Sequence, residues 1–279
     1  MRGIGRRDVL LGGMSLAALA ASGAPARAEA ELRGQFVQGT LIRGRTAVGS
    51  KVTLDGKALS LSSKGDFAFG FGYDRTNAAA LRITTPDGET ESKTIEIGKR
   101  EYAIQRINGL PEGMVEPPAS VMKRIERDNH LIGVARARDT DEDWFAEDFA
   151  WPVKGPITGV YGSQRILNGV PKRPHFGTDI AAGEGKPIHA PLGSIVSMAE
   201  KDMYFTGGTV ILDHGHGVST SYLHMSRLDV KVGDRLAKGD PIGAIGKTGR
   251  ATGPHLCWRL NWFQERLDAA LVVPEMPKA

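Results

Sequence analysis

Hydrophobic and polar positions change rhythm several times along this chain of 279 residues. Val9 to Ala21 is apolar or small throughout, a run shorter than the roughly 20 residues that span a bilayer. Further on the period becomes two. Phe67, Phe69 and Phe71 alternate with Ala68 and Gly70, and Leu81-Arg82-Ile83 and Thr94-Ile95-Glu96-Ile97 repeat the pattern. Side chains two apart share one face of a strand, so the three rings are expected in a core. Asp55-Gly56 and Pro86-Asp87-Gly88 supply turns between strands. Short alternating strands at this spacing predict an immunoglobulin-like β-sandwich over 29–106. Pro117-Pro118 then precedes Val121, Met122 and Ile125 among charges, which predicts one amphipathic helix. It falls in a linker over 107–150, where it would pack between domains or cover a cleft. From Trp151 the β pattern returns. Gly208 to Asp213 reads as a strand, His214-Gly215-His216-Gly217 as a turn, and Val218, Thr220, Tyr222 and His224 as one face of the next strand. The expected architecture is all-β: sandwich, helical linker, and an antiparallel β domain over 151–279.

The first apolar run changes meaning with its flanks. Arg6-Arg7 precedes it and Ala26-Arg27-Ala28 offers a small-x-small cleavage site. Together they predict a twin-arginine type export signal over 1–28 and a periplasmic mature protein without a membrane span. That segment holds Arg2, Arg6, Arg7 and Arg27 against Asp8, so +3 of the formal +4 leaves with it. The nearly neutral remainder lacks the concentrated basic composition of a nucleic-acid binder. One cysteine excludes an internal disulfide, so Cys257 is either a small apolar residue or a reactive group. Its place beside His255 favours the second.

On a strand, His255 and Cys257 point the same way, into one cleft. His175 and Asp179 stand four apart, and Tyr222-Leu223-His224 adds a further imidazole. Two His, one Asp, one thiol and a spare His suffice for a three-ligand catalytic zinc with two acid–base groups beside it. The same residues carry a resemblance. His175-Phe176-Gly177-Thr178-Asp179-Ile180-Ala181, Pro187-Ile188-His189-Ala190-Pro191, Tyr222-Leu223-His224-Met225-Ser226, and Gly246-Lys247-Thr248-Gly249 leading into Gly253-Pro254-His255 occur in order. They resemble the lysostaphin/LytM-type zinc metallopeptidases with their duplicated hybrid motif, from Trp151 to about Pro274. The leader, sandwich and linker are similar to the exported proteobacterial branch of that family.

That resemblance implies that His175 and Asp179 ligate one zinc ion per chain. It makes His224 and His255 the non-ligand histidines that move protons and stabilise an oxyanion. The family's third ligand is usually the second His of a His-x-His pair, and Cys257 occupies that position here. A thiolate and a carboxylate together put two anions on the metal, which predicts slower hydrolysis or altered specificity. The implied function is a zinc-dependent endopeptidase that cuts stem or cross-bridge peptides of bacterial peptidoglycan in cell-wall remodelling, with a regulatory protein as a further candidate partner. The alternative is a weak or inactive module of the same type that binds peptidoglycan or activates an amidase. A cysteine hydrolase with Cys257 as nucleophile would differ by surviving chelation. Arg165 is expected to orient substrate or support its loop, and Tyr161 is a candidate cleft residue. His214 and His216 belong to a turn, His189 to a strand end and His130 to the linker.

Overall fold

The computed structural model describes residues 30–277; the expected export signal lies outside them. Among the described residues no helix is long and apolar enough to cross a membrane. The first half is built from β1 (Glu31–Arg33), β2 (Leu41–Arg45), β3 (Lys51–Leu54), β4 (Lys57–Leu59), β5 (Asp66–Gly70), β6 (Ala79–Thr84) and β7 (Thr90–Ile95). They form two antiparallel sheets, β1-β2-β5 and β4-β3-β6-β7. Ile42, Phe67 and Phe69 of one meet Val52, Leu54, Leu81 and Ile83 of the other in a single core. Each such side chain contributes about 1.5–3 kcal/mol by leaving water, and the alternation seen in the sequence puts them there. The result is a seven-stranded sandwich.

A short strand β8 (Ile104–Ile107), the single turn α1 (Glu112–Val115) and the helix α2 (Met122–Arg136) follow. The second half contains β9 (Ile157–Gly159), β10 (Gln164–Leu167), β11 (Val170–Pro171), β12 (Thr178–Ala181), β13 (Pro187–His189), β14 (Ser194–Met203), β15 (Gly207–Asp213) and β16 (Val218–Met225). It closes with β17 (Arg227–Leu228), β18 (Arg235–Leu236), β19 (Pro241–Ala244), β20 (His255–Trp262) and β21 (Glu265–Leu267). The central sheet runs β18-β14-β15-β16-β20-β12-β9, with β21 on β20. β8, which straddles residue 106, pairs in parallel with β10 and so ties the linker to the second half.

The two faces of this sheet differ. Thr220, Tyr222, Trp258 and Leu260 are cross-strand neighbours on a face that, with Leu212, Val196 and Leu256, makes the large apolar core. The other face carries Asp179, Cys257 and Arg259 in register with Leu223, Ser221 and Ile211. Helix α2 lies on that second face, packing Leu131, Ile132 and Ala135 against Met198, Met203 and Ile211. A helix does form in the linker, and its buried residues are Ile125 and Ala135 together with the charged Asp128 and Arg136. Asp128 accepts a hydrogen bond from the Tyr204 amide at 2.7 Å.

Candidate metal centre

β12 and β20 place the first two groups of the site. Asp179 is directly opposite Cys257, so carboxylate and thiol rise side by side from one face. His175 precedes β12 and is pinned by backbone bonds in both directions: Gly162 N donates to His175 O, and His175 N donates to Ser163 O. Two glycines leave room for these groups. A Cβ on Gly159 would collide with Asp179 Oδ2, and one on Gly177 would lie 2.9 Å from Cys257 Sγ.

The three donors converge. One atom from each of His175, Asp179 and Cys257 lies within 4.8 Å of the others. His175 Nε2 is 3.1 Å from Asp179 Oδ1 and 3.3 Å from Cys257 Sγ. Bonds to zinc of about 2.0–2.3 Å set tetrahedral ligand atoms about 3.3–3.6 Å apart, so the spacing suits that ion. Asp179 Oδ1 is buried and makes no hydrogen bond despite its neighbours, as an oxygen reserved for a cation would be. Its other oxygen accepts from Arg165 Nη2 at 2.9 Å, so Arg165 holds the carboxylate rather than standing free in the cleft. Burial works to raise the Asp179 carboxyl, but His175 and Arg165 hold it well below the usual carboxylate range. Burial pushes the His175 imidazolium down, toward the neutral ligand form. Burial and the Asp179 charge push the Cys257 thiol up to about 11. A thiol in that state binds metal only by releasing its proton, which a divalent cation drives.

His224 reaches this group by breaking the strand pattern. Simple alternation puts it on the same face as Thr220 and Tyr222, in the apolar core. Instead the β15–β16 register shifts beside it, and its φ is +67°, a left-handed conformation that costs a non-glycine residue about 1–3 kcal/mol. The bulge turns the imidazole onto the metal-bearing face, where its ring centroid is 4.8 Å from that of His255. Thr248 clamps the bulge: its hydroxyl accepts from Gly208 N and donates to Met225 O, both at 2.9 Å. Its carbonyl takes the His224 Nδ1–H at 2.8 Å. His255 is anchored likewise, Nδ1 to Gly253 O at 2.8 Å, with Nε2 3.8 Å from Asp179 Oδ1. In both rings Nδ1 is occupied and Nε2 is left for the cleft. Burial, then the neighbouring His255, lowers the His224 pKa to about 3.

Asp179, His224 and His255 border a cleft of about 310 Å³, and His175 and Cys257 do not line it. Thr158 and Arg165 form one side, Arg250 to His255 another, and Gln105, Ile107 and Leu110 of the linker a third. The linker thus walls the cleft through β8 and the segment after it, while α2 sits beside it on the sheet. A larger hollow of about 620 Å³ lies between the sandwich and Trp262-Phe263, but none of the five candidate residues lines it. Tyr161 lines neither; it is buried, with its hydroxyl donating to Arg266 O at 2.7 Å. His214 is likewise enclosed, between Gly193 O and Thr220 Oγ1, and His216 bonds to Ser60 O.

Residues 173–269 match the model of Peptidase family M23. This segment is similar to M23 peptidase domains. A peptidoglycan DD-endopeptidase, ShyA, from Vibrio cholerae is 42% identical over 124 residues, 41% of this chain and 29% of that protein. An uncharacterized metalloprotease from Haemophilus influenzae is 42% identical over 190 residues, 63% of this chain and 33% of that protein. The chain thus spans about a third of the length of these relatives. A solved structure from Pseudomonas aeruginosa assigned to peptidase M23 superposes with a TM-score of 0.62 at 25% identity, covering 86% of this chain and 95% of that one. All five candidate residues fall inside the matched M23 segment. Sequence reasoning did not single out Thr248 as an anchor, nor Gly159 and Gly177 as clearances, because each acts through a distant partner.

Proposed function

We propose that this chain is a zinc-dependent endopeptidase that hydrolyses peptide bonds in peptidoglycan, with His175, Asp179 and Cys257 as ligands and His224 and His255 as the proton-handling pair. One observation carries the reading. Three chemically different metal donors meet within 4.8 Å, directly beside two imidazoles whose Nδ1 atoms are both tied back. The M23 match and the peptidoglycan DD-endopeptidase activity of the Vibrio relative support the substrate class. The leader-like segment supports export to the periplasm, by the twin-arginine route.

Zinc held there would supply Lewis-acid polarisation of the scissile carbonyl and a more acidic water. Around it, this chain's own residues have separate tasks. Arg165 keeps Asp179 ionised and fixes which oxygen faces the group. One of His224 and His255 accepts a proton at Nε2, and the other donates a hydrogen bond to the developing oxyanion. His224 enters neutral at any ordinary pH, the form a base requires. Thr248 fixes the ring plane of His224 and Gly253 that of His255. The burial of His175, Asp179, Cys257 and His224 strengthens each of these contacts.

The decisive experiment measures zinc content by elemental analysis together with peptide release from purified peptidoglycan, for the parent, Cys257→Ser and His224→Ala. The expected result is one zinc per parent chain, zinc loss in Cys257→Ser, and full zinc without peptide release in His224→Ala. Parent protein that holds no zinc and releases no peptide would leave a peptidoglycan-binding or amidase-activating module. Activity that survives chelation but not alkylation would transfer the chemistry to the thiol.

A further inference from the structure

A second cavity, of about 270 Å³, opens on the His175 side of the metal group, and its lining is unusual in charge. Arg165, Lys172, Arg173, Arg250, Arg259 and Arg266 all line it, and no carboxylate does. Arg165 alone is paired, with Asp179. Among the described residues no ion pair includes Lys172, Arg173, Arg250, Arg259 or Arg266, although ion pairs are frequent elsewhere on the molecule. A chain with a formal net charge of only +4 has gathered six cations around one hollow.

The cluster is held in place rather than left loose. Arg259 rises from β20 on the metal-bearing face, two residues beyond Cys257, and Arg266 stands across from Asn261 on the same face. The Arg266 guanidinium lies 4.7 Å from the Phe176 ring centroid, and that of Arg250 lies 4.5 Å from Phe205. Stacking on an aromatic face fixes the plane of a guanidinium and leaves its N–H edges for a ligand. Arg250 Nη1 also donates to Met114 O at 3.0 Å. Nearby on α2, Arg136 is buried with its Nε unpartnered, and Arg259 Nε is unpartnered as well. Burial, followed by the like charges of Arg259 and Arg266, lowers the Arg136 pKa to about 9. Burial, followed by Arg165 and Arg259, lowers that of Arg250 to about 10. Cations forced together in a partly enclosed space destabilise one another until an anion enters.

Arg165, Leu167 and Arg250 line both this cavity and the metal cleft, so the two hollows adjoin. We infer that the cavity between His175, Phe176, Arg259 and Arg266 is a substrate subsite that binds a carboxylate of the peptide being cut. The inference rests on the proposed peptidase reading and adds what that reading lacks, a reason to prefer an acidic peptide in one orientation. Arg259 and Arg266 are binding residues here, and paired guanidinium N–H edges match a carboxylate in bidentate geometry.

The test uses the full chain and two cross-linked muropeptides that differ only in whether their free carboxylates are amidated. Dissociation constants are measured on metal-free protein and KM and kcat on zinc-loaded protein. Charge-assisted hydrogen bonds imply roughly a tenfold or greater preference for the free acid, in Kd and KM and not in kcat. Arg259→Gln with Arg266→Gln should collapse that preference to near unity, and Arg259→Lys with Arg266→Lys should restore part of it, with thermal unfolding confirming that each variant folds. Equal binding of acid and amide by the parent overturns the subsite, as does a preference that survives the Gln pair. A preference in Kd without cleavage of either peptide keeps the subsite and overturns the peptidase reading instead.

Discussion

Two histidine settings lie at opposite ends of β16, and their contrast separates structure from chemistry. His214, just before the strand, donates from Nδ1 to Gly193 O and accepts at Nε2 from the Thr220 hydroxyl, which lies 2.8 Å from the Tyr222 hydroxyl. Every polar atom of the ring has a partner. His224, at the far end, has only Nδ1 tied and sits in a left-handed bulge beside Asp179, Cys257 and His255. Both imidazoles are buried, and burial is the first cause of the lowered pKa in each. Burial therefore does not distinguish them. Closed hydrogen bonding marks a residue that holds the fold, whereas a ring that lines the cleft with its Nε2 free, held there at a cost in backbone strain, is placed to act on something else.

The contrast would be broken most severely at the ligands. Asp179→Asn should lose zinc and all measurable peptide release, while unfolding stays cooperative; retained zinc would show that the carboxylate is not a ligand. Next, His224→Ala should lower kcat by about 10²–10⁴ with zinc retained, and His214→Gln by no more than about threefold, on the same general acid–base scale. Comparable losses in kcat from both would erase the distinction.

His214 should instead register in stability. Its folded pKa is about 4, below the unfolded value of ~6.5. Above pH 6.5 neither state carries the proton; between 6.5 and 4 only the unfolded state takes it up, so stability falls with pH across that window. About 3 kcal/mol is at stake. The stability gap between the parent and His214→Gln, followed by urea unfolding at pH 7 and at pH 4, should shrink by about that amount. A gap independent of pH would mean that His214 is not held neutral.

A smaller change sharpens the other side. Cys257→His should keep zinc and raise turnover severalfold, because removing one anionic ligand makes the metal a stronger acid; lower zinc retention and lower turnover would show that the thiol is required. Smallest of all, Thr248→Val leaves the carbonyl that anchors His224 but removes the hydroxyl that clamps the bulge. A cost of about 1–2 kcal/mol is expected from the unpaired Gly208 N and Met225 O, with kcat lowered a few-fold and KM unchanged.

Much of this was legible in the residues. The alternation of Phe67, Phe69 and Phe71 announced a core, and two-residue periodicity put His255 and Cys257 on one face. His224 was misplaced by the same logic. Period two assigns it to the face of Tyr222, and only the register shift opposite Gly208–Val210 sends it the other way. A bulge depends on what the partner strand does, and one strand's pattern cannot contain that. The sequence offered Arg165 as a substrate-orienting or loop-supporting residue, and the structure adds a bond to Asp179 that neither reading named.

Charge shows the same division. A formal net charge of +4 by itself says nothing of an anion site. Arg165, Arg250, Arg259 and Arg266 are spread over a hundred residues and belong to different strands and loops, so their convergence arises only when β20, β21 and the β10 loop fold around His175. What the amino-acid order by itself determined is local: which segments alternate, where turns fall, and which donor types are present. The tertiary structure alone decided which donors meet, which stay unpaired and which cations share a hollow. The physical reason is that coordination and electrostatic crowding depend on distance in space, which chain order does not encode until strands have paired.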